Sequence, residues 1–209
     1  MFKMKNSMVK LIPLLGLFSV ILYFLHVILG EIFYEGYNPL AQAISDLTAS
    51  NSPSKNIARL FSMLYGICAV TFSIGFFVHI KNKINKAVTV SSFIFCAMNI
   101  LSFLGYTFFP LSESGYAGTF QDKMHMVVTV FVVLLTIVSL ILFSIGFFRI
   151  KEHRWLGVIS MSTLLILMAG AMLINTVPNE YFGVAERINV YSIIIYTGIL
   201  ALWMRKYSY

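Results

Sequence analysis

The sequence predicts an all-α, polytopic membrane protein: a six-transmembrane-helix bundle with a short amphipathic helix on its outer surface after the first span. Three observations carry this prediction. First, 59% of the 209 residues are hydrophobic and only 11% are charged, with a mean hydropathy of +0.86. A soluble domain carries roughly 25% charged residues, and a shell this poor in charge could not be solvated by water. Second, six apolar stretches approach or exceed the roughly 20 residues a helix needs to cross a bilayer. They are continuously apolar rather than alternating, which selects helices over barrel strands. Third, Lys and Arg sit in short clusters between the apolar stretches, as bilayer topology requires. Nineteen Phe and 11 Tyr suit lipid-facing walls and interfacial belts.

The first span, residues 11–33, follows Lys3, Lys5 and Lys10. Its basic start and the "AQA" at 41–43 resemble a secretory leader. The apolar run is longer than a leader's, however, and polar residues 34–38 separate it from that tripeptide, so a retained helix is expected. The connection 34–56 is polar and turn-rich. Asn38-Pro39 reads as an N-cap followed by Pro at the first helical position. Leu40, Ile44 and Leu47 then recur at helical spacing, with Gln42 and Asp46 on the opposite face. This predicts a short amphipathic helix lying against the bundle, ended by "SNSP" at 50–53, with Asp46 facing either water or a cavity. Ser52-Pro53 is expected to cap the second span, 57–80.

The tight turn "KNKINK" leads into the third span, 87–109, which Pro110 closes. In the next connection, 110–123, the "SESG" lacks the first Gly and the strand-to-helix setting of a nucleophile elbow, and "GYAG" reads as a flexible loop. The fourth span covers 124–149, the turn "KEHR" enters the fifth at 155–175, and the short sixth span covers 188–204. Asn99, Ser102 and Asn175 lie within spans and are expected to hydrogen-bond between helices. Cys68 and Cys96 fall in apolar runs and are expected to be free thiols. With no internal repeat or appended soluble domain, residues 1–209 read as one domain.

Sidedness follows from the basic residues. Lys3, Lys5, Lys10, Lys81, Lys83, Lys86, Arg149, Lys151, Arg154, Arg205 and Lys206 fall on one side; Lys55, Arg59, Lys123 and Arg187 fall on the other. The positive-inside rule then places both termini in the cytoplasm of a multi-pass plasma-membrane protein. The acids separate the opposite way: only Glu152 lies inside, while Glu31, Glu35, Asp46, Glu113, Asp122, Glu180 and Glu186 lie at or near the outer face. Asp and Glu contribute little to topology, so this asymmetry calls for another cause. The net charge of +7 does not indicate nucleic acid, because the basic residues form no single patch.

The outer ends of the spans therefore hold the candidate chemistry. Asp122 and His125, three residues apart on one helix face, suit an oriented imidazole acting as a general base, with Ser45 and Asp46 nearby candidates on the surface helix. Arg59 and Arg187 suit an anionic head group. Glu31 and Glu186 either line the same pocket or neutralise those arginines. His26 lies about two turns below the outer end of its span, where ionisable groups are costly and usually face the bundle interior. His79 and His153 lie at the cytoplasmic edge. No H-x-x-x-H, H-E-x-x-H or cysteine pair at ligand spacing occurs, so neither a metal nor a cofactor is expected.

"YNPLAQAISDL" after the first span, "FP" closing the third, a His opening the fourth and "GVAERI" opening the sixth occur in order along nearly the whole chain. Together they resemble the bacterial membrane proteins called domain of unknown function 998. The resemblance implies a six-helix bundle, a more distant kinship with the Frag1/DRAM/Sfk1 group, which is linked to lipid or membrane organisation, and roles for Ser45, Asp46, Pro110, His125, Glu186 and Arg187. "FPLSES" departs from the family pattern by lacking an acid two residues after the Pro, with Glu113 the available substitute.

The leading expectation is a membrane protein whose outer polar pocket recognises a lipid head group or a small polar ligand, with membrane lipids as partners. One rival is a lipid hydrolase or transferase using His125 with Asp46 or Asp122. Another is a small-solute transporter, which should show broken or polar helices at mid-bilayer; spans two and four are instead nearly uniformly apolar.

Overall fold

A computed structural model describes residues 6–81 and 83–207; Lys3 and Lys5 lie outside the described residues. Six long helices form: α1 (Asn6–Ile32), α2 (Lys55–Ile80), α3 (Lys86–Phe108), α4 (Phe120–Phe148), α5 (Arg154–Ile174) and α6 (Phe182–Tyr207). All six are long and apolar enough to cross a membrane. Each helix packs against the next, and α6 returns to α1, so the bundle closes as a ring. Phe72, Phe76, Phe95, Phe143, Phe147 and Tyr196 fill its centre, each fully buried. The outward faces stay apolar: along α4, Val130, Phe131, Leu134, Val138 and Ile141 are exposed. A water-soluble monomer rarely exposes such a continuous stripe; a lipid-facing wall requires it.

Small residues and hydroxyls hold the ring together, as expected where lipid removes the hydrophobic drive between helices. The Ser91 hydroxyl donates to the Ser139 carbonyl at 2.6 Å, Ser144 to the Gly157 carbonyl at 3.1 Å, and the Asn85 amide to the Gly146 carbonyl at 2.7 Å. Ser160 and Tyr196 share a 2.7 Å bond. Asn99 and Asn175 differ from the expectation: each donates to the carbonyl four residues back in its own chain, Phe95 and Ala171. Such a bond is satisfied locally at no cost in helix position, so no neighbour is needed. Cys68 and Cys96 are free.

The surface helix expected after the first span is shorter than its sequence suggests. Residues 38–42 form a turn, with the Ala41 and Gln42 amides both donating to the Asn38 carbonyl, and a single 3-10 helix follows at Ile44–Thr48. Leu40 is exposed, while Ile44 and Leu47 are buried. The helix starts late because Asp46 supplies its own cap, accepting the Ala43 amide at 3.0 Å. Ser54, not Ser52, precedes α2; its hydroxyl donates to the Leu47 carbonyl at 3.0 Å and ties the two segments together.

Candidate functional site

The two ends of the ring differ in chemistry. At the acidic end, the 34–54 connection is drawn across the helix tips by three anchors. Arg187, in the second turn of α6, is the first. Its guanidinium donates to the Gln42 carbonyl at 2.9 Å, the Gly183 carbonyl at 3.1 Å, Glu31 at 2.9 Å and the Tyr37 hydroxyl oxygen at 2.8 Å. The Tyr37 hydroxyl in turn donates to the Ala43 carbonyl at 2.8 Å. Burial pushes the Tyr37 phenol well above its usual range, against the pull of the neighbouring guanidinium. Glu186 is the second anchor, accepting the Ile44 amide at 2.6 Å. Gly183 lets the backbones meet: a Cβ there would collide with the Pro39 and Gln42 carbonyl oxygens.

Asp46 is the third anchor. It is 3% exposed, and besides the Ala43 amide it accepts the Gly115 amide at 2.9 Å. Gly115 has φ +83°, a conformation that favours glycine. Asp46 thus resolves its two sequence options by facing inward onto the 110–119 connection. Burial raises its carboxyl pKa, and the two amides, with His125 and Arg187 nearby, oppose that rise. Ser45 sits on the same turn, its carbonyl accepting the Thr48 hydroxyl at 3.1 Å.

Asp122 and His125 share a helix face but not a hydrogen bond. Asp122 is fully buried and forms a capping box with Thr119: its carboxylate accepts the Thr119 amide at 3.0 Å, and the Thr119 hydroxyl accepts the Asp122 amide at 3.2 Å. The Ser112 amide at 2.7 Å and hydroxyl at 2.9 Å also donate to the carboxylate. His125 turns Nδ1 to the Phe109 carbonyl at 2.8 Å and packs its ring on Tyr106 at 4.9 Å. A carbonyl only accepts, so Nδ1 carries a proton, and in the neutral form of the ring the lone pair is on Nε2. Pro110, next to that carbonyl, ends α3 and leaves it free to accept.

Arg59 lies at the rim of this end. It donates to the Thr48 carbonyl at 2.8 Å and to Ser50 at 3.2 Å, and Lys55 donates to the Ser50 carbonyl at 2.8 Å. Among the described residues, the ion pair found is Arg187–Glu31, so neither rim cation has a carboxylate partner. Arg187, by contrast, uses both terminal nitrogens in four hydrogen bonds, one of them to Glu31.

Beneath these anchors is His26. Gly30, one turn above it on α1, is where a Cβ would meet Leu47 of the 3-10 helix. His26 is therefore about one helical pitch, ~5 Å, below that contact. It is 4% exposed, and both ring nitrogens lack a hydrogen-bond partner. Tyr23 lies edge-on at 5.5 Å and carries the contact to Tyr65 at 4.9 Å. Glu186 is within electrostatic reach of both Tyr23 and Tyr106. Tyrosines thus stand beside both imidazoles in the interior, Tyr23 at His26 and Tyr106 at His125. Tyr37, Gln42, Tyr106 and Gly115 were not legible as site residues, since each meets a partner far away in sequence; Ser112 meets Asp122 ten residues on, across a connection that carries no local signal for the contact. Among the described residues, no group of three His, Cys, Asp or Glu could hold a metal.

Fold and site together define a six-helix integral membrane protein with a clasped polar end. A family model described as "Protein of unknown function (DUF998)" matches residues 17–203, and the chain belongs to that family. No curated protein and no solved structure matches it.

Proposed function

We propose that this is a plasma-membrane receptor for a lipid head group or small polar ligand, held in the tyrosine-lined interior under the clasp at the outward-facing end. The supporting observation is His26. A buried polar group without a partner costs roughly 1–3 kcal/mol, and native proteins rarely keep one without a use. The imidazole offers one donor and one acceptor to a polar ligand, and Glu186 and His125 are the further polar groups that would face it. Arg59 and Lys55, free of carboxylates at the rim, supply attraction for an anionic head group. Both termini then face the cytoplasm.

Native mass spectrometry of the detergent-purified protein tests this reading. The expected result is a discrete bound adduct that His26→Leu removes while the variant stays monodisperse and at least as thermostable. No adduct in any lipid background, or an adduct retained by H26L, overturns it.

A second reading, a lipid hydrolase or transferase, is favoured by the free lone pair on His125 Nε2. The Phe109 carbonyl, not a carboxylate, would orient the ring through Nδ1, because Asp46 and Asp122 both spend their oxygens on caps and loop amides. His125→Ala should then keep the adduct but stop its conversion.

A further inference from the structure

The basic end of the ring carries a separate feature. A cavity of about 190 Å³ lies between the C-terminal ends of α2 and α6 and the turn before α5, lined by Lys83, His153, Trp203 and Tyr207 among others. A second hollow, of about 370 Å³, shares Lys83, Ile84 and His153 with it and extends to Arg149. Trp203 is 5% exposed, and its indole Nε1 has no hydrogen-bond partner. His153 Nδ1 is likewise buried without one. Indole N–H is a donor only, so the partner it lacks is an acceptor. The cations beside it have no carboxylate at ion-pair distance among the described residues; Glu152, the acid of this end, is exposed and outside any ion pair. Lys83 approaches the His79 ring, at 3.3 Å. An orphaned indole donor, unneutralised cations and a hollow of head-group size coincide.

We propose that this paired hollow binds a phosphate group, with Trp203 Nε1, Lys83 and Arg149 as its donors. An anionic phospholipid is the favoured source. Tyr207, on the lining of the first hollow, is exposed, and basic hollows between helices at the cytoplasmic face suit anionic head groups. Lys83 lines both hollows, Trp203 the first and Arg149 the second, so a head group seated at Lys83 would be held against the ring wall and would give the indole the acceptor it lacks. This site shares no residue with the clasped end and stands whether or not the ligand proposed there exists.

Trp203 supplies its own reporter. The chain has two tryptophans, so Trp155→Phe leaves Trp203 alone, and Trp155 does not line either hollow. The W155F protein is placed in phosphatidylcholine nanodiscs with rising fractions of phosphatidylglycerol. Trp203 emission should shift saturably, and native mass spectrometry should find one retained phosphatidylglycerol per chain. Adding Lys83→Gln and Arg149→Gln should weaken binding roughly 30-fold, at the usual contribution of a surface cation to anionic-lipid binding. Inorganic phosphate, added to pure phosphatidylcholine discs, separates the sources: an equal shift upholds the phosphate site but assigns it to a soluble phosphate. No shift with either, or a linear, non-saturating response unchanged by the double substitution, overturns the proposal.

Discussion

Replacing Arg187 with alanine distinguishes a clasp from a simple ion pair. The guanidinium makes four hydrogen bonds, and only one goes to a carboxylate. The side chains of Arg187 and Glu31 are 12% and 31% exposed, so Glu31 can rehydrate when its partner is lost. An ion pair this wet contributes about 1 kcal/mol or less. The remaining bonds are charge-assisted, drier and directed at the 37–43 turn and the start of α6; charge-assisted bonds contribute about 1.5–3 kcal/mol each and add incompletely. R187A is therefore expected to cost about 3 kcal/mol and Glu31→Ala about 1 kcal/mol or less. For a chain of this length that corresponds to roughly 6–12 °C for R187A and no more than about 4 °C for E31A in thermal midpoint. Differential scanning fluorimetry in detergent reads both, and limited proteolysis across 35–43 reports whether the turn has come loose. Equal losses for R187A and E31A would refute the reasoning, because the ion pair would then dominate.

Asp122→Ala should lower the thermal midpoint by an amount corresponding to about 1–2 kcal/mol, the usual worth of an N-cap interaction, and Thr119→Ala by less; an unaffected D122A would remove Asp122 from the cap. Asp46 has a raised pKa, so its protonated form is favoured in the fold. Its stabilising effect is full below the ordinary aspartate range and is lost as pH rises through the folded value. The stability of Asp46→Asn relative to wild type should therefore improve as pH climbs from about 4, and a difference constant with pH would contradict this. Gly183→Ala places a methyl against the Pro39 and Gln42 carbonyl oxygens. It should cost about 1–3 kcal/mol and raise protease sensitivity across 35–43 without changing the helical circular dichroism.

The six spans were legible because a bilayer leaves the sequence little choice: Phe, Leu, Ile and Val must run without interruption for the length of each helix. The surface helix was half legible. Asn38-Pro39 and the Leu40, Ile44, Leu47 spacing fit a helix start, yet the Asp46 carboxylate caps the Ala43 amide and moves the start to Ile44. The same chemistry misleads at Asp122 and His125. Three-residue spacing puts them on one face, but an acid three residues after Thr119 is first a capping residue, and the ring finds the Phe109 carbonyl instead. The depth of His26 could be read from its span; its lack of partners could not, since that depends on which side chains α2 and α6 present. Lys83, His153 and Trp203 meet only because the ring closes, and no local signal joins them.

In the proposed orientation, the clasped, acidic end faces outward and the basic, indole-lined end faces the cytoplasm. Cysteine labelling tests it directly, in a background with Cys68 and Cys96 replaced by alanine. Ala117→Cys in the exposed 110–119 connection and Lys151→Cys at the opposite end are treated with a membrane-impermeant maleimide on intact cells. Labelling at position 117 alone is the predicted result, with position 151 reacting only after the cells are opened. Labelling at 151 and protection at 117 would contradict the claim.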